Sequence, residues 1–271
     1  MITLLQISDP HFGTEQTLVV EALASLVKSQ QPEFAIWSGD ITQRARHTQF
    51  ASAKAFSDRL AIPHLLAVPG NHDIPLFNFI ARIFYPYSGY KRAFGNNLEP
   101  IFESEELLII CLNTTRPWRH KNGELSQKQI DHVAQKVKKA NPSQLRIVVT
   151  HQPISIESEK DEENLLIGYD HALKSWSNAG VDMVLGGHIH RPHAHKMANH
   201  FGPIAGNMWS IQAGTAVSYR IRDGIPNSVN LIRYSIENQK RSCIVERWNF
   251  DNTTQQFQVN NKDNIELTDY S

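Results

Sequence analysis

Five short polar blocks, each directly behind an apolar run, constrain the fold of this chain more than any other feature. The apolar runs are β-branched or leucine-rich, and they cover residues 2–7, 34–37, 65–68, 145–149 and 183–185. Such near-continuous apolar runs indicate buried strands of a parallel sheet. In an open α/β sheet, ligands bind beyond the carboxyl ends of these strands. We therefore expect the five blocks to meet in one crevice, which favours an enzyme.

The polar blocks supply side chains that bind divalent metal ions. They are Asp9-Pro10-His11, Gly39-Asp40, Gly70-Asn71-His72-Asp73, Thr150-His151 and Gly187-His188-Ile189-His190. Carboxylate and amide oxygens with imidazole nitrogens, and no cysteine, suit Mn or Fe, with Zn as the alternative. Seven ligands are too many for one tetrahedral ion. They fit two divalent ions that share a carboxylate, about 3.5–4 Å apart, as in phosphatases and nucleases.

This series of blocks resembles the pattern of the calcineurin-like metallophosphoesterases. All its elements, D-x-H, G-D, G-N-H-D/E, H and G-H-x-H, occur in order between residues 9 and 190. The resemblance implies one ion held by Asp9, His11, Asp40 and His190, and another held by Asp40, Asn71, His151 and His188. Asp40 would bridge the two ions. By the same resemblance His72 is the general acid or leaving-group stabiliser, and Asp73 orients His72.

The residue types also have a reason that is independent of the resemblance. An anionic phosphoester repels hydroxide, so the site needs positive charge to screen the ester and to lower the pKa of a bound water. Asp40, at a strand end, can place one oxygen on each ion. The i, i+2 spacing of His188 and His190 predicts two rings on one side of an extended segment. Gly186 and Gly187 would allow close backbone approach.

Length, composition and charge favour one soluble α/β domain over residues 1–271. Hydrophobic residues make up 41% of the 271 residues, enough for a sizeable core. The 27 basic and 27 acidic residues balance, so we expect no strong nucleic-acid surface. The sequence has no signal-peptide pattern and no apolar stretch of about 18 residues, which favours a cytoplasmic protein without a membrane span. The oligomeric state stays open, a dimer included.

Helical patterns alternate with the strands. Apolar residues at i, i+4 spacing predict helices over residues 17–29 and 47–60, with a further helix over 169–179. Ser126 and Gln129 form a capping-box signature at the start of another helix. From about residue 205, alternating runs predict a C-terminal antiparallel sheet. The fold class is α/β, and the resemblance also implies a four-layer αββα sandwich.

Further side chains are candidates for substrate contact. Arginine binds phosphate in a bidentate manner, and the candidates are Arg44, Arg46, Arg220 and Arg222, with Arg44 the first choice; a solvated loop charge is the alternative for each. His193, just beyond the ligand pair, lies close enough in sequence to contact a substrate. The aromatic segment 74–94 either packs in the core or walls a pocket for a base or an acyl chain.

These observations predict a dinuclear metal-dependent phosphoesterase that hydrolyses a small phosphodiester by in-line attack of a metal-bridging hydroxide. The Ser-Asp-Pro-His opening and the Gly-Asp-Ile-Thr-Gln block look most like the bacterial class III cyclic-nucleotide phosphodiesterases. One alternative is a nuclease on short or single-stranded DNA. Another is a hydrolase of a lipid-linked or nucleotide-sugar pyrophosphate. A non-catalytic scaffold of the same fold is remote, because such proteins tend to lose ligands that are all present here.

Overall fold

The computed structural model describes residues 1–267, and these residues form twelve strands and seven α-helices. The strands are β1 (Ile2–Ile7), β2 (Phe34–Ser38), β3 (His64–Val68), β4 (Ile101–Glu103), β5 (Leu107–Cys111), β6 (Leu145–Val149), β7 (Met183–Gly186), β8 (His193–Lys196), β9 (Trp209–Gln212), β10 (Ser228–Glu237), β11 (Lys240–Asp251) and β12 (Gln256–Ile265). The helices are α1 (Thr17–Gln30), α2 (His47–Leu60), α3 (Phe79–Phe84), α4 (Ser88–Phe94), α5 (Gln127–Val137), α6 (Tyr169–Ala179) and α7 (Ala198–Phe201).

The strands form two six-stranded sheets. Their orders are β12-β11-β10-β1-β2-β3 and β4-β5-β6-β7-β9-β8. Strands β1 to β3 are parallel in the first sheet, and β5, β6, β7 and β9 are parallel in the second. The expectation that all five blocks follow strands of one open sheet is therefore wrong, although the blocks do converge. Three blocks follow strands of the first sheet and two follow strands of the second, and they meet between the sheets.

Three apolar layers hold the molecule together, which confirms the four-layer αββα sandwich. Helices α1 and α2 pack on the outer face of the first sheet, where Leu5 and Trp37 are buried. Leu4 and Ile147 lie in the layer between the two sheets. Trp176 of α6 lies in the layer that covers the second sheet. Leu4 and Leu5 point to opposite faces and are both fully buried, which explains the unbroken apolar sequence of β1.

The C-terminal strands do not form a sheet of their own, in contrast to the expectation. Strands β10, β11 and β12 are antiparallel, as their alternating sequence predicts. However, β10 also pairs with β1, with Leu5 opposite Leu231, and so extends the first sheet. The physical reason is that β1 would otherwise leave an unpaired edge of backbone N–H and C=O groups. Sequence periodicity does not reveal which strand covers such an edge.

The predicted helices agree with the structure, and α5 begins with the expected capping box. Ser126 accepts a hydrogen bond from the backbone N–H of Gln129, and Gln129 Oε1 accepts one from the backbone N–H of Ser126 at 2.9 Å. No helix of residues 1–267 combines the length and apolarity that crossing a membrane requires. The single-domain assignment stays a prediction, and its last four residues, 268–271, lie outside the described residues.

The aromatic segment 74–94 is divided between two environments. In α4, Tyr90 is buried, and its hydroxyl donates to the carbonyl of Ala67 at 2.7 Å. In α3 no side chain is buried. Core packing therefore accounts for Ile74 and for Tyr90 of α4 but not for the residues of α3.

Candidate metal centre

Two groups of metal-ligand atoms lie where the loops after β1, β2, β6 and β7 converge. The first group contains Asp9, His11 and His190, and the second contains Asp40, His151 and His188. Within each group, one ligand atom of every residue lies within 4.8 Å of the others. The division between the groups corresponds to the one that the family resemblance implies.

The buried carboxylate of Asp40 joins the two groups. Its Oδ2 lies 3.8 Å from His11 Nε2 in the first group, and its Oδ1 lies 3.2 Å from His151 Nε2 in the second. Asn71 belongs with the second group, because its Oδ1 lies 3.2 Å from His151 Nε2. One carboxylate therefore presents one oxygen to each group, which is the geometry that a bridging ligand needs.

The donor set fits two divalent ions. Both ring nitrogens of His188 are buried, and no hydrogen-bond partner for them lies among residues 1–267. A buried polar group without a partner costs about 1–3 kcal/mol. In the first group, the Nε2 atoms of His11 and His190 lie only 3.2 Å apart, and His190 Nε2 is also 3.2 Å from Asp9 Oδ1. A metal ion in each group would bind these nitrogen and oxygen atoms, which otherwise lack a hydrogen-bond partner or face one another.

Five of the ligands adopt a left-handed backbone conformation, which is uncommon for residues other than glycine. The φ angles are 49° at Asp9, 44° at His11, 49° at Asp40, 73° at His188 and 56° at His190. Such conformations cost about 1–3 kcal/mol each and persist where the surrounding structure enforces them. The expectation of an extended segment at His188 and His190 is therefore wrong. Two left-handed residues, rather than strand alternation, direct these rings into different groups.

Two glycines let backbone segments come close enough to assemble the site. A Cβ atom at Gly187 would lie 1.9 Å from Ser8 Oγ and 2.5 Å from Asp9 Oδ2. A Cβ atom at Gly70 would lie 2.1 Å from the backbone nitrogen of Asp40. Both distances are far below van der Waals contact, so any side chain at these positions would displace a ligand. The close approach expected at Gly187 is confirmed.

Backbone carbonyl groups fix the orientation of two ligand rings. His151 Nδ1 donates to the carbonyl of Ser38 at 2.8 Å, and His190 Nδ1 donates to the carbonyl of Arg220 at 2.6 Å. Each bond holds the proton on Nδ1 and leaves Nε2 free as a ligand atom. Asp9 is held similarly, because its Oδ2 accepts hydrogen bonds from Ser8 Oγ at 2.6 Å and from the His188 backbone at 2.9 Å.

His72 lies beside both groups, but Asp73 does not orient its ring as the resemblance implies. His72 Nδ1 donates to the carbonyl of Gln43 at 2.9 Å. Asp73 accepts hydrogen bonds from the backbone N–H groups of Ile41, Thr42 and Gly70, at 2.7–3.0 Å. No hydrogen bond joins Asp73 to His72 among the described residues. Asp73 therefore holds the loops that carry Asp40 and His72.

Arg220, which was only a secondary candidate, is the arginine that reaches the ligand groups. Its Nη1 lies 2.9 Å from Gln43 Oε1, 3.3 Å from His72 Nε2 and 3.5 Å from His11 Nδ1. Arg44 is exposed, with its guanidinium 5.8 Å from the centre of the Phe77 ring. No local pattern distinguishes Arg220, because its contact with His72 spans 148 residues of sequence.

The other substrate candidates have different surroundings. Arg222 pairs with the buried Asp161 at 2.6 Å, so its charge is already neutralised. His193 lies on β8, where its ring stacks on His195 with the centroids 4.8 Å apart. Within residues 1–267, His193 belongs to neither ligand group.

Burial and charge together set the protonation of the ligands in the protein without metal. Burial lowers the pKa of His11 and of His188 to about 3, so both rings are neutral and able to bind metal. Burial alone would also lower the pKa of His151. The adjacent Asp40 carboxylate outweighs burial and raises this pKa to about 9. Its histidine partners in turn hold the pKa of Asp40 well below its usual value, although burial opposes them.

Comparisons with known proteins agree with this geometry. Residues 2–192 match the family model described as calcineurin-like phosphoesterase. No curated protein sequence matches the chain. Among solved structures, a dimetal phosphatase from Danio rerio superposes with a TM-score of 0.68 at 12% identity, over 98% of this chain and 99% of that one.

Two further structures share the fold. The purple acid phosphatase PPD1 from yellow lupin (Lupinus luteus) seeds has a TM-score of 0.68 at 11% identity, over 97% of this chain and 53% of that one. The protein TT1561 from Thermus thermophilus has a TM-score of 0.52 at 12% identity, over 98% and 99% of the two chains. At these identities the similarity establishes the fold alone.

We expect Asp40→Ala to remove both metal ions together, because each ligand group loses one donor and the second loses the partner of His151. Metal content after reconstitution with Mn is the measurement. Asp170→Ala, an exposed carboxylate outside both groups, is the matched control and should bind metal as the unmodified protein does. An Asp40→Ala protein that still holds two ions would contradict the bridging role.

The raised pKa of His151 predicts a pH-dependent stability of the metal-free protein. A group whose pKa rises from 6.5 unfolded to about 9 folded stabilises the fold fully below pH 6.5, and this contribution disappears as the pH rises through 9. The free energy of unfolding of chelator-treated protein, measured with urea, should therefore decline as the pH rises from 6.5 to about 9. The decline should be smaller in Asp40→Asn, which lacks the charge that raises the pKa of His151, while His190, whose pKa is also raised, still contributes. Equal declines in both proteins would argue against this pairing.

Proposed function

The chain belongs to the calcineurin-like phosphoesterase family, and from this premise we propose that it is a dinuclear metal-dependent phosphoesterase with a preference for phosphodiesters. The coarser activity, metal-dependent hydrolysis of a phosphoester, follows from the family and from the two ligand groups. The preference for diesters, a cyclic nucleotide as one such substrate, and Mn or Fe as the metals are the finer parts of the proposal.

The placement of Asp40 between two complete ligand groups carries the proposal. Two divalent ions held there would offset the charge of an ester and lower the pKa of a bound water toward neutrality. Asp40 contributes an oxygen to each group, at 3.8 Å from His11 Nε2 and 3.2 Å from His151 Nε2. A scaffold that binds no metal has no need for such an arrangement, because left-handed ligands and a His188 ring without a hydrogen-bond partner among residues 1–267 only destabilise it.

The side chains around the ligand groups support binding of a phosphoester. Arg220 Nη1 and His72 Nε2 lie 3.3 Å apart, so one phosphoester oxygen could contact both. The contact of His72 Nδ1 with the Gln43 carbonyl leaves Nε2 as the atom that faces the substrate. In this role the doubly protonated His72 ring, which carries a proton on Nε2 as well as on Nδ1, would pass the Nε2 proton to the leaving oxygen or donate a hydrogen bond to it. Arg220 would bind a non-bridging oxygen.

The small number of cations near the ligand groups favours a diester over a monoester. A diester carries one charge at phosphorus, whereas a monoester dianion carries nearly two. Arg220 reaches the groups directly, and Arg44 lines a small adjoining cavity together with Asn71 and His72. The resemblance to the cyclic-nucleotide phosphodiesterases rests on the Ser-Asp-Pro-His and Gly-Asp-Ile-Thr-Gln blocks, so cyclic nucleotides are first in a substrate panel.

One observation favours a second candidate, the hydrolysis of a lipid-linked or nucleotide-sugar pyrophosphate. A cavity of about 450 Å³ lies next to the candidate metal centre, and both arginine and apolar side chains line it, including Arg44, Arg46, Leu76 and Phe77. Such a lining suits a substrate with an anionic and an apolar part. The same substrate panel should include these pyrophosphates.

We expect kcat/KM for bis-p-nitrophenyl phosphate to exceed that for p-nitrophenyl phosphate under identical Mn loading. The two substrates share a leaving group and differ in the charge at phosphorus, so their ratio isolates the preference. Cyclic AMP and its 2′,3′ isomer would then test the cyclic-nucleotide assignment. A monoester advantage of tenfold or more, about 1.4 kcal/mol in transition-state binding, would contradict the diester preference and leave the broader phosphoesterase activity in place.

His72→Ala should retain both metal ions and lose roughly 10² to 10⁴ in kcat toward esters with poor leaving groups. The loss should be smaller with p-nitrophenyl esters, since p-nitrophenolate needs little protonation. His171→Ala, an exposed histidine of α6, is the matched control and should change neither rate. Equal losses with both kinds of leaving group would argue against proton donation by His72.

A further inference from the structure

Helix α3 is packed with its apolar face outward. Phe79, Ile80, Ile83 and Phe84 lie on one face of this helix and are between 68% and 71% exposed. The polar residue of the helix, Arg82, instead turns toward the protein and donates to the carbonyls of Pro75 and Arg119, at 3.0 and 2.8 Å. A surface helix ordinarily buries its apolar stripe. The reversed arrangement is stabilised by the two Arg82 hydrogen bonds.

The exposed face of α3 is part of a larger apolar patch. We define the apolar patch as Phe77, Phe79, Ile80, Ile83, Phe84, Tyr85 and Trp118, each at least 67% exposed. Trp118 is included because the bond from Arg82 to the Arg119 carbonyl holds its neighbour in sequence, Arg119, against α3. Isolated apolar side chains are common on protein surfaces, whereas a contiguous group of aromatic and branched residues marks an interaction site.

Positive charge borders the apolar patch on one side, because Arg44, Arg46 and Arg92 line the same cavity as Phe77. Residues 74–98 contain no Asp or Glu, and neither do residues 41–57, although the whole chain is balanced at 27 charges of each sign. We define the basic rim as Arg44, Arg46, Lys91 and Arg92, which are all exposed. Within residues 1–267, no carboxylate lies within 4.0 Å of their charged nitrogens. The rim is therefore available to an anionic partner.

We propose that the apolar patch and the basic rim dock onto a membrane surface that contains anionic lipid. Aromatic and branched side chains enter the boundary between headgroups and acyl chains, and arginine and lysine bind the headgroup phosphates. Insertion of an apolar group alone gives only marginal membrane binding, whereas apolar insertion combined with a basic cluster gives stable binding. This docking rests on the surface chemistry and does not require the proposed hydrolytic activity.

A second copy of this chain is a poorer occupant of the same surface. A two-fold dimer places the same patch on both sides of its interface. The basic rims of the two copies would then face each other, and like charges across an interface are unfavourable. An anionic lipid surface complements the apolar patch and the basic rim at the same time.

The docked orientation would place the candidate metal centre next to the lipid surface. Leu76 and Arg44 line the cavity that borders Phe77 of the apolar patch. The same two residues line the smaller cavity that contains Asn71 and His72. Arg44 and Leu76 therefore form a wall that the two cavities share. A phosphoester in a lipid headgroup could reach His72 without leaving the interface.

Cosedimentation of the full chain with vesicles tests the docking. Vesicles of phosphatidylcholine alone are compared with vesicles of phosphatidylcholine that contain about 30% phosphatidylglycerol, at low and at physiological salt. We expect binding to the anionic vesicles that weakens with salt. The double variants Phe79→Ser/Ile83→Ser and Lys91→Glu/Arg92→Glu should each lower the partition coefficient at least tenfold.

Matched controls separate docking from general effects on the surface. Leu18→Ser/Ile204→Ser changes two apolar side chains that are 59% and 48% exposed outside the patch, and Lys28→Glu/Lys174→Glu reverses two exposed charges outside the rim. Both control proteins should bind vesicles as the unmodified protein does. Far-ultraviolet circular dichroism checks that every variant is folded. Unchanged binding by both patch and rim variants, or equal binding to neutral vesicles, would overturn the docking.

The remaining outcomes distinguish docking from dimerisation and from the proposed function. A dimer in sedimentation velocity that disappears in Phe79→Ser/Ile83→Ser would assign the surface to a second copy and overturn the proposal. Hydrolysis of bis-p-nitrophenyl phosphate without vesicles should be the same in this variant and in the unmodified protein. Normal vesicle binding by a protein that hydrolyses no ester would support docking and overturn the proposed function.

Discussion

The buried carboxylate of Asp40 is the interaction on which the rest of the site depends. Its two oxygens face His11 in one ligand group and His151 in the other, and Oδ1 also accepts the backbone N–H of His72 at 2.8 Å. Desolvation makes an isolated buried carboxylate very costly. The surrounding histidines offset this cost by stabilising the charged form of Asp40. The two candidate ligand groups, the placement of His72 and the charge balance of the site therefore all depend on the side chain of Asp40.

The fold supplies the rigidity that this carboxylate needs. The apolar layer between the sheets, which includes Leu4 and Ile147, fixes the distance between the loops of the first and second sheets. Ligands from both sheets must meet within 4.8 Å, so a small shift of one sheet would open both groups. The left-handed backbone at Asp9 and Asp40 is tolerated because the strands before these residues are fully packed. The dense packing of the strands therefore stabilises the strained backbone at the ligands.

Sequence patterns predict those parts of the site that local chemistry specifies. The structure brings the candidate ligands together in two groups, because each directly follows a strand, whereas the bridging role that the resemblance implies for Asp40 stays a prediction. The loop-holding contacts of Asp73 and the position of Arg220 beside His72 are not predictable in this way. Arg220 reaches His72 across 148 residues of sequence. The contacts of Asp73 join the loops after β2 and β3, and Arg220 lies in the segment between β9 and β10, so no local periodicity encodes either contact.

The sequence by itself determined the family, the alternation of strands and helices, and which residues are the candidate metal ligands, because these depend on residue type and short-range spacing. Tertiary structure alone decided that the five strands belong to two facing sheets and that the C-terminal strands extend the first. It also decided that the aromatic segment divides, with Tyr90 buried and Phe79 exposed. Apolar residues look alike in sequence whether a protein core or another surface covers them. Only the packing of the whole chain shows that Arg82 turns inward and leaves the apolar face of α3 uncovered.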